Sequence, residues 1–292
     1  MRTHSIPRML LAISLTGLAA SAARAQGTQR PDEPRPIEAA DAVLIDEMTF
    51  MEVRDAIRAG KTTAIVGTGG VEQNGPYTVT GKHNFVLRVT TEAIARRLGN
   101  ALVAPIVAFV PEGQHDPATG HMRYAGTISL TEDTYRALLR DICASLKAHG
   151  FVDIVLIGDS GGNQNGMKAV AEELNAKWRA SKTRVHFISE YYAQDMWSFD
   201  YLKTLGIRQQ PDVRSASRAG VHDDYHYEAL VALVDPAHIR AEQRIRGGKF
   251  TINGVNLESV DAVLENGRKL AAFRADITVP AIQKAVAGAP GR

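Results

Sequence analysis

The sequence predicts an α/β protein, a single α/β/α layered domain built on a mainly parallel sheet. Three observations carry that prediction. Short apolar or β-branched runs at 62–66, 101–107, 153–157 and 185–191 alternate with longer segments whose apolar residues recur at helical spacing. Each strand–helix repeat is separated by only a few polar residues, as parallel strands with crossover helices require. Glycines or polar side chains follow the strand-like runs, which is where ligands collect in such sheets.

In chain order, residues 1–25 read as an export signal. Arg2 and Arg8 precede an apolar run over 9–20, and Ala23-Arg24-Ala25 supplies a small-residue cleavage site. The run is too short for a stable transmembrane helix. Cleavage there gives a periplasmic or secreted protein with no membrane attachment, and it takes the formal charge from +2 to −1. A nearly neutral chain argues against a nucleic-acid partner. Cys143, the single cysteine, rules out an internal disulfide framework and sits in a helical apolar pattern that predicts burial. Residues 26–45, with Pro31, Pro34 and Pro36 among charges, form an extended lead-in, and 46–288 form the domain.

Within the domain a helix over 51–59 is closed by Gly60, and strand 62–66 runs into Gly67-Thr68-Gly69-Gly70. A helix over 91–98 ends at Gly99, and strand 101–107 follows. Ser129 and Glu132 have capping-box spacing ahead of a helix with Tyr135, Leu138, Leu139, Ile142 and Leu146 on one face, closed by Gly150. Strand 153–157 leads through Gly158-Asp159-Ser160-Gly161-Gly162-Asn163 into a helix with Met167, Val170, Ala171, Leu174 and Trp178 on one face. Three polar turns are expected at the carboxyl ends of strands: 67–83, 158–163 and 222–228.

The turn at 158–163 contains Gly-Asp-Ser-Gly-Gly, the nucleophile motif of trypsin-like proteases. Those enzymes are all-β and carry a His in an Ala-Ala-His-Cys segment. Here the motif lies between a strand and a helix, and no such segment exists. The plain alternative is that Asp159, Ser160 and Asn163 satisfy turn amides and start a helix.

The turn Gly67-Thr68-Gly69-Gly70-Val71-Glu72-Gln73-Asn74-Gly75-Pro76-Tyr77-Thr78-Val79-Thr80-Gly81-Lys82-His83 resembles the creatininase family of metal-dependent amidohydrolases, which carry Glu-Gln-His-Gly-Pro-His followed by Gly-Thr-Asp. Three further segments match in order. His121 to Leu130 resembles the family's His-x-x-Phe-Pro-Gly-Thr-x-Ser-Leu, 158–163 resembles Asn-Gly-His-Gly-Gly-Asn, and His222 to Leu233 is similar to a late His-Ala-Gly-x-x-Glu-Thr-Ser segment. The resemblance covers roughly 46 to 285.

The resemblance implies one or two divalent ions held by a Glu, a His, an Asp, a second His and a further Glu, with an activated water attacking an amide carbonyl. Glu72 matches the first Glu, and Glu228 the late one. Asn74 stands in place of the first His, His83 in place of the Asp and Ser160 in place of the second His. An imidazole offers one lone pair to a site and cannot bridge two cations as a carboxylate does. The expected centre is therefore mononuclear, Glu72, His83 and Glu228 holding one zinc or manganese. Asp159 or Asp223 would then act as ligand or proton shuttle, while the Gly161 and Gly162 amides meet the oxyanion. Asn74, His115, Asn163 and Trp197 are the further candidates for contact with a small amide substrate. Tyr192 shares with Trp197 a place where the family puts a covering aromatic residue. His121 is expected to pack beside the Gly126-Thr127 turn.

Two other functions fit the same residues. Ser160 could be a nucleophile with His222 as its base, or the chain could be a non-catalytic small-molecule binder that kept the fold. The resemblance also implies a homo-oligomer, often a hexamer.

Overall fold

In the computed structural model the described residues are 30–209, 224–257 and 259–289, without the side chains of 194–197. Four parallel strands form the sheet: β1 (Thr63–Thr68), β2 (Ala101–Val103), β3 (Asp153–Gly158) and β4 (Arg184–Phe187), in the order β2-β1-β3-β4. The helices are α1 (Phe50–Arg58), α2 (Lys82–Leu98), α3 (Glu132–Ala148), α4 (Gln164–Lys177), α5 (Glu190–Thr204), α6 (Tyr225–Val234), α7 (Ala241–Arg246) and α8 (Val260–Ala287). A hairpin of β5 (Thr251–Ile252) and β6 (Val255–Asn256) stands apart from the sheet. Ala39–Arg292 forms one unit, and 30–38 carries neither helix nor strand. Among the described residues no helix is long and apolar enough to cross a membrane.

Every residue of β1 and β3 is buried, as expected of parallel strands covered on both faces. Alternation sends Ala64, Val66, Ile154 and Leu156 toward Tyr135, Leu139 and Cys143 of α3 and Met167, Val170 and Leu174 of α4. Ile65, Val103, Val155 and Ile157 face the other way, onto Leu87 and Ile94 of α2 and Ala275, Val279 and Ile282 of α8. Burying each such aliphatic side chain contributes ~1.5–3 kcal/mol. The α/β class with a mainly parallel sheet is as the sequence predicts, and it places the Gly-Asp-Ser-Gly-Gly stretch at the end of a parallel strand rather than in an all-β protease.

Local boundaries differ in four places, each with a cause. α2 begins at Lys82, nine residues before the expected start, because Gly81 ends the polar turn directly at the helix. β2 stops at Val103: Pro105 has no N–H for a ladder, and beyond it only an isolated bridge from Thr68 to Val107 remains. The fourth strand ends at Phe187, and α5 starts already at Glu190. The cap of α3 is Thr131, which accepts from Thr134 N, and not Ser129. Ser129 is used elsewhere, in holding the loop that carries Glu112.

Candidate active site

The carboxyl ends of β1 and β3 lie side by side, with Thr68 in register with Gly158. Asn163 ties them together. Its Nδ2 donates to Thr68 O at 2.8 Å, Gly69 O at 2.9 Å and Thr68 Oγ1 at 3.0 Å, with the side chain fully buried. The loops leaving both strands therefore open onto one cavity of about 730 Å³, lined by Glu72, Lys82, His83, Glu112, His121, Asp159, Ser160, Gly161, Gly162, Tyr192 and Tyr227 among others.

Glu72 is fixed by its own loop. Its N–H donates to Thr80 O at 3.0 Å, and Asn74 Nδ2 donates to Glu72 O at 3.0 Å and Val79 O at 3.1 Å. Asn74 is thereby spent on loop closure, which explains why it does not line the cavity. His83, in the first turn of α2, bridges two acids: Nε2 is 2.8 Å from Glu72 Oε1 and Nδ1 is 2.7 Å from Asp159 Oδ2. Burial and Lys82 oppose protonation of this ring, but the Glu72 and Asp159 carboxylates outweigh them and push its pKa up to about 9. An imidazolium donating from both nitrogens has no lone pair for a cation.

Glu112 completes the centre. Its backbone N–H donates to Ser129 Oγ at 2.8 Å, and that hydroxyl donates to Gly113 O at 2.7 Å. Its Oε1 is buried without a hydrogen-bond partner among the described residues. Burial and the negative charge of Glu72 raise the Glu112 carboxyl to about 9. Close approach here depends on Gly70, where φ is +155° and a Cβ would sit 2.2 Å from Glu112 Oε1. His121 Nε2 lies 3.2 Å from Glu72 Oε2, and ligand atoms of Glu72, Glu112 and His121 all lie within 4.8 Å of one another.

The structure thus gathers three of the thirteen expected site residues, Glu72, His83 and Asp159, into this network, and places Ser160, Gly161 and Gly162 along the cavity wall. The set that could hold a cation is Glu72, Glu112 and His121 rather than Glu72, His83 and Glu228. His83 is occupied as described. Glu228 is fully buried in α6, with its oxygens taken by Arg244 Nη1 at 2.7 Å and Thr78 Oγ1 at 2.5 Å. His121, expected beside the Gly126-Thr127 turn, instead reaches Glu72. Asn163 is the strand tie. His115 Nε2 pairs with Ser129 O at 3.0 Å and lines an adjoining cavity with Gln114, Asp116 and Glu132. His222 and Asp223 lie outside the described residues, as does the side chain of Trp197, whose backbone belongs to α5. Among the described residues no hydrogen bond joins Ser160 Oγ to an imidazole.

Sequence reasoning missed Glu112, Lys82 and Arg274 as members of this network. One signal was available: α2 opens with Lys82 and His83 and has no acid in its first turn, against the helix dipole. Cations in that unfavourable place imply nearby carboxylates.

These features define a class, an α/β protein with a carboxylate–imidazole centre at the carboxyl ends of parallel strands. Residues 46–267 match the family model described as Creatininase: Creatinine amidohydrolase, so the chain belongs to the creatininase family. It is 25% identical to the creatinine amidohydrolase of Pseudomonas putida over 169 residues, 58% of this chain and 62% of that protein; the match spans less than two thirds of the relative. Among solved structures, a mutant creatininase complexed with creatine shares the fold with TM-score 0.58 and 19% identity, covering 84% of this chain and 99% of that one. A structure described as creatininase Mn gives 0.55 and 20%, covering 84% and 98%.

Proposed function

We propose that the protein is an exported, metal-dependent amidohydrolase that cleaves a C–N bond of a small cyclic or linear amide. The observation that carries this reading is the buried Glu112 Oε1, without a hydrogen-bond partner among the described residues, set beside Glu72 and His121. Two carboxylates placed together out of water repel and lose hydration, and a cation between them removes both costs. Two carboxylates and one imidazole form a donor set that zinc or manganese accepts, so the residues present fit one ion. Glu72, Glu112 and His121 would hold it, and it would supply Lewis acidity and a water of lowered pKa.

The chain's own residues support the rest. Lys82 Nζ, 3.7 Å from Glu72 Oε1 and 4.8 Å from the Tyr227 ring centroid, lines the cavity as a donor for a substrate carbonyl or departing nitrogen. The Gly161-Gly162 turn receives the carbonyl end of the substrate. At Gly162 a Cβ would come within 2.4 Å of Pro111 O, so only glycine lets the two loops close on the cavity there. Asp159 has both oxygens engaged, by His83 on one side and by Arg274 and Tyr191 on the other, and acts by orientation rather than as a proton carrier. A cavity of about 730 Å³ suits a small molecule.

Export rests on the signal-like segment 1–25 and the cleavage site before Gln26, and a homo-oligomer on the family resemblance. Mature protein from the periplasm or medium should begin near Gln26 and run as an oligomer in light scattering. An uncleaved cytoplasmic monomer would overturn both.

The test of the activity is metal content per subunit, followed by a screen of small cyclic and linear amides with zinc or manganese supplied. The expected result is about one bound ion per subunit and hydrolysis of an amide, both lost in Glu72→Ala and Glu112→Ala. A protein that binds neither ion, or binds a small amide without turnover, would sink the reading in favour of a non-catalytic binder.

A further inference from the structure

The cavity-lining acids are held from behind by a residue that does not line the cavity. Arg274, in the middle of α8, is 1% exposed and donates from Nη1 to Asp159 Oδ1 at 2.9 Å. Tyr191 OH donates to the same oxygen at 3.3 Å. The other oxygen, Oδ2, meets His83 Nδ1 at 2.7 Å, and across the ring Nε2 meets Glu72 Oε1 at 2.8 Å. Glu72 Oε2 is left facing His121 at 3.2 Å. An imidazole is rigid and its two nitrogens lie on opposite edges, so fixing the carboxylate at one edge fixes what the other edge can hold.

We propose that Arg274 is a positioning residue: acting through Asp159 and His83, it sets the direction in which Glu72 presents Oε2 to Glu112 and His121. The guanidinium is itself held, its carbon 5.2 Å from the Tyr227 ring centroid and 5.7 Å from that of Tyr191. Its helix packs on α2, which carries His83, and on α5 and α6. A buried arginine is a costly way to fill a core, since apolar side chains of similar volume do so without desolvation. Its use here is directional. A planar guanidinium anchors one chosen carboxylate oxygen and leaves the second for the ring. Partners behind metal ligands of this kind fix ligand orientation and raise affinity.

The inference rests on the metal-centre reading above, and its test separates the two. Arg274→Met, Arg274→Lys and Asp159→Asn would be compared with the unaltered protein in two measurements. One is manganese affinity by titration. The other is the far-downfield proton NMR signal that an imidazole N–H gives against a carboxylate, recorded on the zinc-supplied and the chelator-treated protein. Arg274→Met should weaken manganese binding by about 10–100-fold and shift or abolish the downfield signal. Arg274→Lys, which keeps a donor, should retain most of both. Asp159→Asn should lose the signal of the His83 Nδ1 proton, which faces Asp159, and weaken the ion to the same degree.

A folded Arg274→Met protein with unchanged affinity and an unchanged signal overturns the proposal. Should Arg274→Met fail to fold, Asp159→Asn decides: unchanged manganese affinity there overturns it, and the expected weakening supports it. If the unaltered protein binds no ion at all, the metal reading falls, while the signal still tests the relay. Its shift or loss in Arg274→Met, with persistence in Arg274→Lys, then supports Arg274 as the anchor, and indifference to Arg274→Met overturns it.

Discussion

Arg244 Nη1 lies 2.7 Å from Glu228 Oε2, and the two side chains are sealed from solvent at 2% and 0% exposure. Thr78 Oγ1 donates to the second Glu228 oxygen, and Arg244 Nη2 donates to Thr251 O at 3.2 Å. The pair thus joins α6 to α7, the 72–81 loop and the β5–β6 hairpin. Removing one partner strands a buried charge, which costs about 3–5 kcal/mol. Arg244→Met and Glu228→Gln are each expected to lower the urea midpoint accordingly while leaving the ion bound per folded subunit unchanged. Loss of the ion from Glu228→Gln at full stability would return Glu228 to the ligand role that the sequence suggested.

Glu112→Gln should behave in the opposite way. Glutamine is close in shape, keeps the loop bonds made by the Glu112 backbone and Ser129, and needs no proton on folding, whereas the Glu112 carboxyl, raised to about 9 by burial and Glu72, must take one up at neutral pH. Metal-free protein is expected to be as stable as the unaltered protein or more so. An ion at 100 times its dissociation constant stabilises by about 2.7 kcal/mol. Thermal unfolding with and without manganese should show that gain in the unaltered protein and none in Glu112→Gln. An equal gain in both would remove Glu112 from the centre.

The contrast between Glu228 and Glu112 marks what could be read from the chain. Alternating apolar runs and helical spacing gave the sheet, its order of appearance and the burial of Cys143, because those depend on local periodicity. The motif around Glu72 led to the family and to one carboxylate that lines the cavity. Glu112 was not legible: it follows Pro111 in a loop with no periodicity, and it is brought in by the Ser129 hydroxyl, 17 residues on, and by the His121 N–H, which donates to Glu112 O at 3.0 Å. Ser129 itself misled, since its spacing from Glu132 matches a capping box, whereas the N-cap of α3 is Thr131, accepting from Thr134 N without a reciprocal acid. His83 and Glu228 were read from position in a motif, which gives no information on the partners, Asp159 and Arg244, that take up their polar atoms across long stretches of chain.

Asn163 provides a test of that distinction. It was read as a substrate contact and is placed as a tie between strand ends, donating from one nitrogen to Thr68 O, Gly69 O and Thr68 Oγ1. Asn163→Ala is expected to cost about 1–3 kcal/mol, the penalty for leaving buried carbonyls unsatisfied. Asn163→Asp should cost at least as much, because an ionised carboxylate would face two carbonyl oxygens. Denaturant unfolding of both variants is the measurement. An Asn163→Asp protein as stable as the unaltered one, altered only in KM, would restore the substrate role.

The apolar layer between β3, α3 and α4 predicts a response to alkali. Burial pushes the Cys143 thiol up to about 12, and burial also raises the Tyr135 hydroxyl. On the opposite face burial, reinforced by Asp159, raises Tyr191. Unfolded, a thiol loses its proton near pH 8.5 and a tyrosine near pH 10. Over the interval above those values the folded chain holds more protons than the unfolded one, so stability must fall as pH rises. The Cys143 contribution is complete below the unfolded thiol value and is lost progressively toward about 12. Urea midpoints taken from about pH 8 to about pH 11 should therefore decline steadily. Cys143→Ala, which leaves a small cavity at every pH but no thiol to ionise, should start lower and decline less steeply. Parallel declines in the two proteins would show that the thiol titrates alike in both states, and a thiol reagent would then label Cys143 in the native protein rather than only after unfolding.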